Sequence, residues 1–247
     1  MDKKLISIWR RLALSDLKSA RILYHKSHYR TSYLLFQQAT EKANKAFGLE
    51  YNFITEKDLK EIGHNLLKMY RRHLVNEKGK IDMQLKSSIT EKLEAQYKKL
   101  VESISVFDKL NNDEQIDMRI KDLNEIYVEL KTLNISILKR YPGAVKKMKA
   151  AAGANKDVFA FVKYLIETFQ EGIFIGLTFA VCAVLTNKHI SLTRYPENGK
   201  NPLTMYTQRR SIVKMQPVYM NLLEQAIRKF GKRDAKKNKM ERLMGIA

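Results

Sequence analysis

The sequence predicts an all-α protein folded as an up-and-down helical bundle that carries a long inserted helical hairpin. Three observations lead there. Apolar residues recur at helical spacing along most of the chain, and no segment alternates with strand period. Only four prolines and ten glycines interrupt the 247 residues, and most fall between the periodic segments. The longest apolar run, Gly172 to Thr186, is 15 residues long and apolar all round, which places it in the middle of a bundle.

The first helix is expected over 5–26, where Trp9, Leu12, Ala13, Leu17, Ala20 and Tyr24 repeat at helical spacing. After a turn at 27–30, a second is expected over 31–47. Its apolar face is Tyr33, Phe36, Ala39, Ala43 and Phe47, and Gly48 reads as a stop. Gly63-His64-Asn65-Leu66-Leu67 opens a third helix that is expected to end near Val75. Two stripes follow, Leu93, Tyr97, Leu100, Ile104, Phe107 and then Ile116, Ile120, Leu123, Tyr127, Leu130. With Asn111-Asn112-Asp113 as the turn between them they read as an αα-hairpin, ended by Tyr141-Pro142-Gly143. Residues 144–155 are small and basic and read as a linker or exposed loop. A helix over 156–187 is amphipathic first and then apolar. A loop at 194–202 leads to a last helix over 203–230, bent by Pro217. The expected organisation is a first part of the bundle at 1–77, the insertion at 78–155, a second part at 156–230 and a basic tail at 231–247.

Charge and composition narrow the function. Lys and Arg number 46 against 26 Asp and Glu, a formal net charge of +20, so the surface attracts polyanions. The single cysteine, Cys182, excludes an intramolecular disulfide, and its apolar helical setting reads as a buried, inert thiol. There is no zinc-type Cys/His cluster, serine-nucleophile motif, phosphate-cradling glycine loop or paired metal carboxylate, and no cofactor is expected. The 172–186 run falls short of the roughly 20 residues a membrane span needs, and Lys163, Glu167, Gln170 and Glu171 interrupt what precedes it. No membrane association is therefore expected. With no apolar stretch behind Met1-Asp2-Lys3-Lys4-Leu5, a cytoplasmic location is expected. On the second helix Gln37, Glu41 and Lys45 fall at i, i+4, i+8 and share one face, which a Glu-to-Lys pair stabilises when it is merely solvated.

Particular residues add a resemblance. Ala13-Leu14-Ser15-Asp16-Leu17-Lys18-Ser19-Ala20 supplies an Asp-Leu-x-x-Ala helix, and Tyr29-Arg30-Thr31-Ser32-Tyr33 a Tyr-bearing turn. Leu35-Phe36-Gln37-Gln38-Ala39-Thr40-Glu41-Lys42-Ala43-Asn44-Lys45-Ala46 matches the pattern Phe-x-x-Gln-Ala-x-Glu-Lys-x-x-Lys-Ala nearly completely, with Leu35 at the Phe position. This helix pair resembles the first two helices of HEPN domains (higher eukaryotes and prokaryotes nucleotide-binding). Gly63-His64-Asn65-Leu66-Leu67 is similar to the start of their third helix. Arg194-Tyr195-Pro196-Glu197 resembles the step before their last helix, with Lys139-Arg140-Tyr141-Pro142-Gly143 a weaker counterpart.

The resemblance implies a HEPN-type bundle and a ligand that is RNA or a nucleotide. It places ligand contacts at Gln38, Glu41, Lys42, Lys45, His64 and Tyr195, with the two lysines supplying charge and Gln38 amide hydrogen bonds. It also implies a role in a prokaryotic toxin–antitoxin or phage-defence system, a homodimer, and a separate nucleotidyltransferase as partner. The alternative is a non-catalytic interaction module. Many HEPN proteins are ribonucleases whose signature is Arg followed, after four to six intervening residues, by His. His moves protons and Arg stabilises phosphate charge. This chain departs from that pattern, because Gly199, Lys200 and Asn201 stand where His would follow Arg194. Arg21 and His28 have the spacing but belong to the first helix and its turn. The candidate catalytic pair is His189 with Arg194, in inverted order.

Overall fold

The computed structural model describes residues 3–87, 91–112, 119–153, 156–187, 189–196 and 201–243. Among them every regular element is a helix. In chain order these are α1 (Lys3–His25), α2 (Tyr29–Glu50), α3 (Asp58–Ile62), α4 (Leu66–Ser87), α5 (Glu91–Asn112), α6 (Ile120–Asn134), α7 (Ile137–Arg140), α8 (Pro142–Ala152), α9 (Lys156–Asn187), α10 (Pro202–Met205) and α11 (Ser211–Leu243).

Helices α1, α2, α9 and α11 form a closed ring of four, each packed on the next, with α6 laid across α9 and α11. The short turn after α1 forces α2 back antiparallel against it. All five residues predicted for the apolar face of α2 are buried, as are Ala13, Leu17 and Ala20 of α1, whereas Leu12 faces solvent. From α9 the core takes Phe174, Ile175, Phe179, Cys182, Ala183 and Leu185. From α11 it takes Val213, Tyr219, Leu223, Ala226 and Ile227. Helix α9 begins and ends where the sequence placed it, and burial pushes the Cys182 thiol well above its usual pKa, which keeps it unreactive. Over Phe159–Asn187 this helix is long and apolar enough to cross a membrane, and half of its most apolar window is buried inside the bundle.

Polar side chains tie the ring together at depth. Asn44 lies at its centre with no exposed surface. Its amide donates to the Phe179 carbonyl at 3.2 Å and its Oδ1 accepts from the Tyr70 hydroxyl at 2.5 Å, so one side chain joins α2, α9 and α4. Gln216 donates to Ser32 Oγ at 2.7 Å, and Ser32 donates to the Ala20 carbonyl at 2.7 Å, linking α11, α2 and α1. Pro217 lies inside α11, as predicted, and has no N–H for the Val213 carbonyl four residues earlier. The Tyr24 hydroxyl of α1 donates to that carbonyl at 3.1 Å.

Several expectations change. Gly48 does not stop α2, which runs on to Glu50. A Cβ there would sit 2.5 Å from Met69 Sδ and 3.0 Å from Ile54 Cγ1, so this glycine admits α4 and the 51–54 turn close to the α2 backbone. Helix α4 passes Val75 and continues to Ser87, because only Gly79 lies in its way. It pairs with α5, so the long hairpin is α4 with α5. Helix α6, expected to pair with α5, instead packs on α9 and α11 and buries Leu123 and Leu130. Helix α5 runs through Asn111 and Asn112, and Asp113 lies outside the described residues. The segment read as a linker is a helix, α8, begun by Pro142 at its first turn and carried by Ala, Lys and Met, all strong helix formers. The last helix starts at Ser211 rather than 203, because the chain turns to send Tyr206 into the core. It then continues to Leu243, through much of the segment read as a tail.

Candidate functional site

The polar face of α2 is largely internal. Gln37 is buried, and its Oε1 accepts from the Thr193 hydroxyl at 3.3 Å. One turn on, Glu41 accepts from two sides: Lys45 Nζ donates to Oε1 at 2.6 Å and His64 Nδ1 donates to Oε2 at 2.7 Å. Lys45 is only 6 % exposed, and its ammonium also lies 5.6 Å from the centre of the Trp9 ring on α1. His64 is half-exposed, so the group opens to solvent at the turn before α4. Beside it Lys42 is ion-paired with Asp16 of α1. Gln38 is half-buried on the same helix.

A satisfied, solvated helix face would leave these side chains in water. Here a carboxylate and an ammonium are withdrawn into a bundle wall, where desolvation takes back much of what their attraction returns. Trp9 Nε1–H, beside them, is buried with no acceptor among the described residues. An unmet buried donor costs about 1–3 kcal/mol. Each lysine has a carboxylate of its own, so the four groups Asp16, Lys42, Glu41 and Lys45 sum to no net charge. Lys42 and Lys45, expected to supply charge to a ligand, are each ion-paired within the fold.

The second sequence motif comes to the other end of the same helix. Thr193 is held by Gln37 and by Arg30, whose Nη1 donates to the Thr193 carbonyl at 3.2 Å. His189 is 2 % exposed. Its Nδ1 shares a hydrogen bond of 2.7 Å with the Tyr206 hydroxyl, and its ring packs against Tyr33 with centroids 4.9 Å apart. Tyr33 in turn donates to the Leu185 carbonyl at 2.9 Å. Arg194 lies half-exposed on the turn that follows, and Tyr195 is exposed. The fold thus brings the Arg194-Tyr195 turn to α2, but it seats His189 inside an aromatic cluster and Arg194 at the surface. Glu197 lies outside the described residues.

Trp9 and Asp16 are the members of this site that sequence reasoning did not assign. Trp9 read as core stripe, although it is the one tryptophan in the chain. Asp16 stood inside the motif of the first helix without a role. Among the described residues no group of three His, Cys, Asp or Glu side chains is placed to hold a metal ion.

The family model described as HEPN domain matches residues 6–172. No curated protein and no solved structure matches the chain.

Proposed function

This chain belongs to the HEPN domain family, and we propose from that premise that it binds RNA or nucleotide as part of a prokaryotic defence or toxin–antitoxin system. The observation that carries the reading is the polar group at Glu41, Lys45, His64 and Trp9. It is buried enough to be costly, fixed by mutual hydrogen bonds, and open to solvent at His64. His64 and Gln38 contact the ligand, and Lys45 holds Glu41 in place. The burial of His189 supports binding over cleavage, since a proton-transfer group must reach its substrate. The test is the affinity of the purified protein for labelled RNA and for free nucleotides across a salt series. Contact with six or more phosphates predicts a loss of about 10³-fold or more between roughly 50 and 200 mM salt. No measurable binding of either ligand would overturn the reading.

A second reading, a non-catalytic module that assembles with another chain, rests on a different feature. Leu165, Phe169, Ile173 and Leu177 recur every four residues along α9 and are all exposed, Phe169 to 72 %. An apolar stripe of this length in water favours association. We propose that two copies of the chain meet along it; a separate nucleotidyltransferase is the other occupant that the family resemblance implies. Light scattering at micromolar concentration is expected to give a dimer, and Phe169→Lys a monomer. A monomeric wild type would sink the self-association.

A further inference from the structure

The site on α2 holds no surplus charge, so the net +20 of the chain must act elsewhere. Between Glu129 and Asp157 the sequence contains no acidic residue at all. The fold gathers five of the seven basic residues of this stretch on α7 and α8. Lys139, Arg140, Lys146, Lys147 and Lys149 are all exposed, and none has an ion-pair partner among the described residues. Many basic side chains elsewhere are compensated: Arg21 and Arg228 by Glu224, Arg72 by Asp58 and Glu61, Lys78 by Asp82, Arg119 by Asp122. Uncompensated charge is what neutralises a polyanion and releases its counterions.

Two further features fit a strand rather than a point ligand. Tyr141, at the junction of the two helices, is 56 % exposed, and the Arg140 guanidinium lies 5.7 Å from its ring centre. This is an aromatic platform with a cation beside it. Ala144, Ala150 and Ala151 of α8 are exposed, so small side chains leave room for a backbone to approach. Eleven residues of helix extend about 16 Å, longer than one phosphate and suited to a run of them.

We propose that α7 and α8 form a contact surface for a single-stranded polynucleotide, with the five cations on successive phosphates and Tyr141 stacked on a base. This rests on the reading of the chain as an RNA or nucleotide binder and deepens it, assigning the polynucleotide backbone to a surface separate from the α2 site. A mononucleotide engages the α2 site alone.

The experiment compares the full-length protein with a variant in which Lys139, Arg140, Lys146, Lys147 and Lys149 are all changed to Gln, and with Tyr141→Ala. Gln matches Lys and Arg in helix propensity, so circular dichroism is expected to be unchanged. The probes are a 20-nucleotide single-stranded RNA, the DNA of the same sequence, the RNA duplex, a free nucleotide and anionic phosphatidylserine vesicles. The five-fold variant is expected to lower affinity for single strands at least about tenfold. It should also reduce the slope of log affinity against log salt by about 3, since each phosphate contact contributes roughly 0.7. Its nucleotide binding should be unaffected. Tyr141→Ala is expected to weaken single strands about tenfold and the duplex little. A variant that binds single strands with wild-type affinity and slope would overturn the proposal while leaving nucleotide binding intact. So would a wild type that prefers duplex, or one that binds vesicles and no polynucleotide. A wild type that binds no nucleic acid and no nucleotide would remove the underlying function as well.

Discussion

Replacing Asn44 by Ala is expected to destabilise the bundle by about 3 kcal/mol, among the largest effects of any single change in α2. The Asn44 side chain has no exposed surface and three hydrogen-bond partners: its amide donates to Thr40 and Phe179 carbonyls, and its Oδ1 accepts from Tyr70. Alanine removes an acceptor for a buried phenol, whose burial already pushes its pKa far up, and a donor for a carbonyl of the core helix α9. Each group left unmet costs about 1–3 kcal/mol. Tyr70→Phe removes only one donor and should cost about 1 kcal/mol. Because both changes strike the same bond, the double variant should fall short of the sum. Chemical denaturation reads the result: the midpoint should fall with an unchanged slope. A shift for Asn44→Ala below about 0.5 kcal/mol would mean that water reaches the site and that α2, α4 and α9 are not joined there.

Changing Glu41 to Gln is expected to cost about 3 kcal/mol, whereas changing Glu41 to Gln and Lys45 to Met together should be nearly neutral. The asymmetry follows from burial. Without Glu41 the Lys45 ammonium, 6 % exposed, keeps its desolvation cost and loses its counter-charge. Breaking a buried pair in this way typically costs 3–5 kcal/mol. Partial exposure of Glu41 on the His64 side puts the effect at the low end. Met has nearly the length of Lys, and replacing both charges of a buried pair often leaves stability unchanged or raises it. The same variant separates stability from function. The pair replaced by Gln and Met should melt like the wild type yet bind nucleotide about tenfold more weakly, because His64 loses the carboxylate that positions it. Unchanged binding would assign the pair a purely structural role.

The way these side chains meet bears on how much could be read in advance. Residues 37, 41 and 45 share a helix face by spacing alone, and the Glu41–Lys45 pair is local to one helix, so both were visible in the sequence. Asp16 lies 26 positions from Lys42, and His64 lies 23 from Glu41. No periodicity links such positions. They meet because α1 folds back on α2 and because the chain turns at Gly63, where a positive φ of 55° suits glycine. His189 too meets its neighbours only in the fold. As a polar residue near Arg194 it read as half of a catalytic pair, but Tyr33 and Tyr206, far away in sequence, enclose it.

The sequence by itself determined that the chain is helical, where α1, α2 and α9 lie, and which face of α2 is apolar, because a stripe at helical spacing is a property of a few consecutive turns. It also contained the motif that identifies the family. Tertiary structure alone decided that α5 pairs with α4 while α6 joins the core, since a stripe does not name its partner. It alone decided where the basic surplus is free. A total of +20 is a sum over residues, but what a polyanion meets is the remainder after each cation has found its carboxylate, and that pairing exists only once the helices are packed.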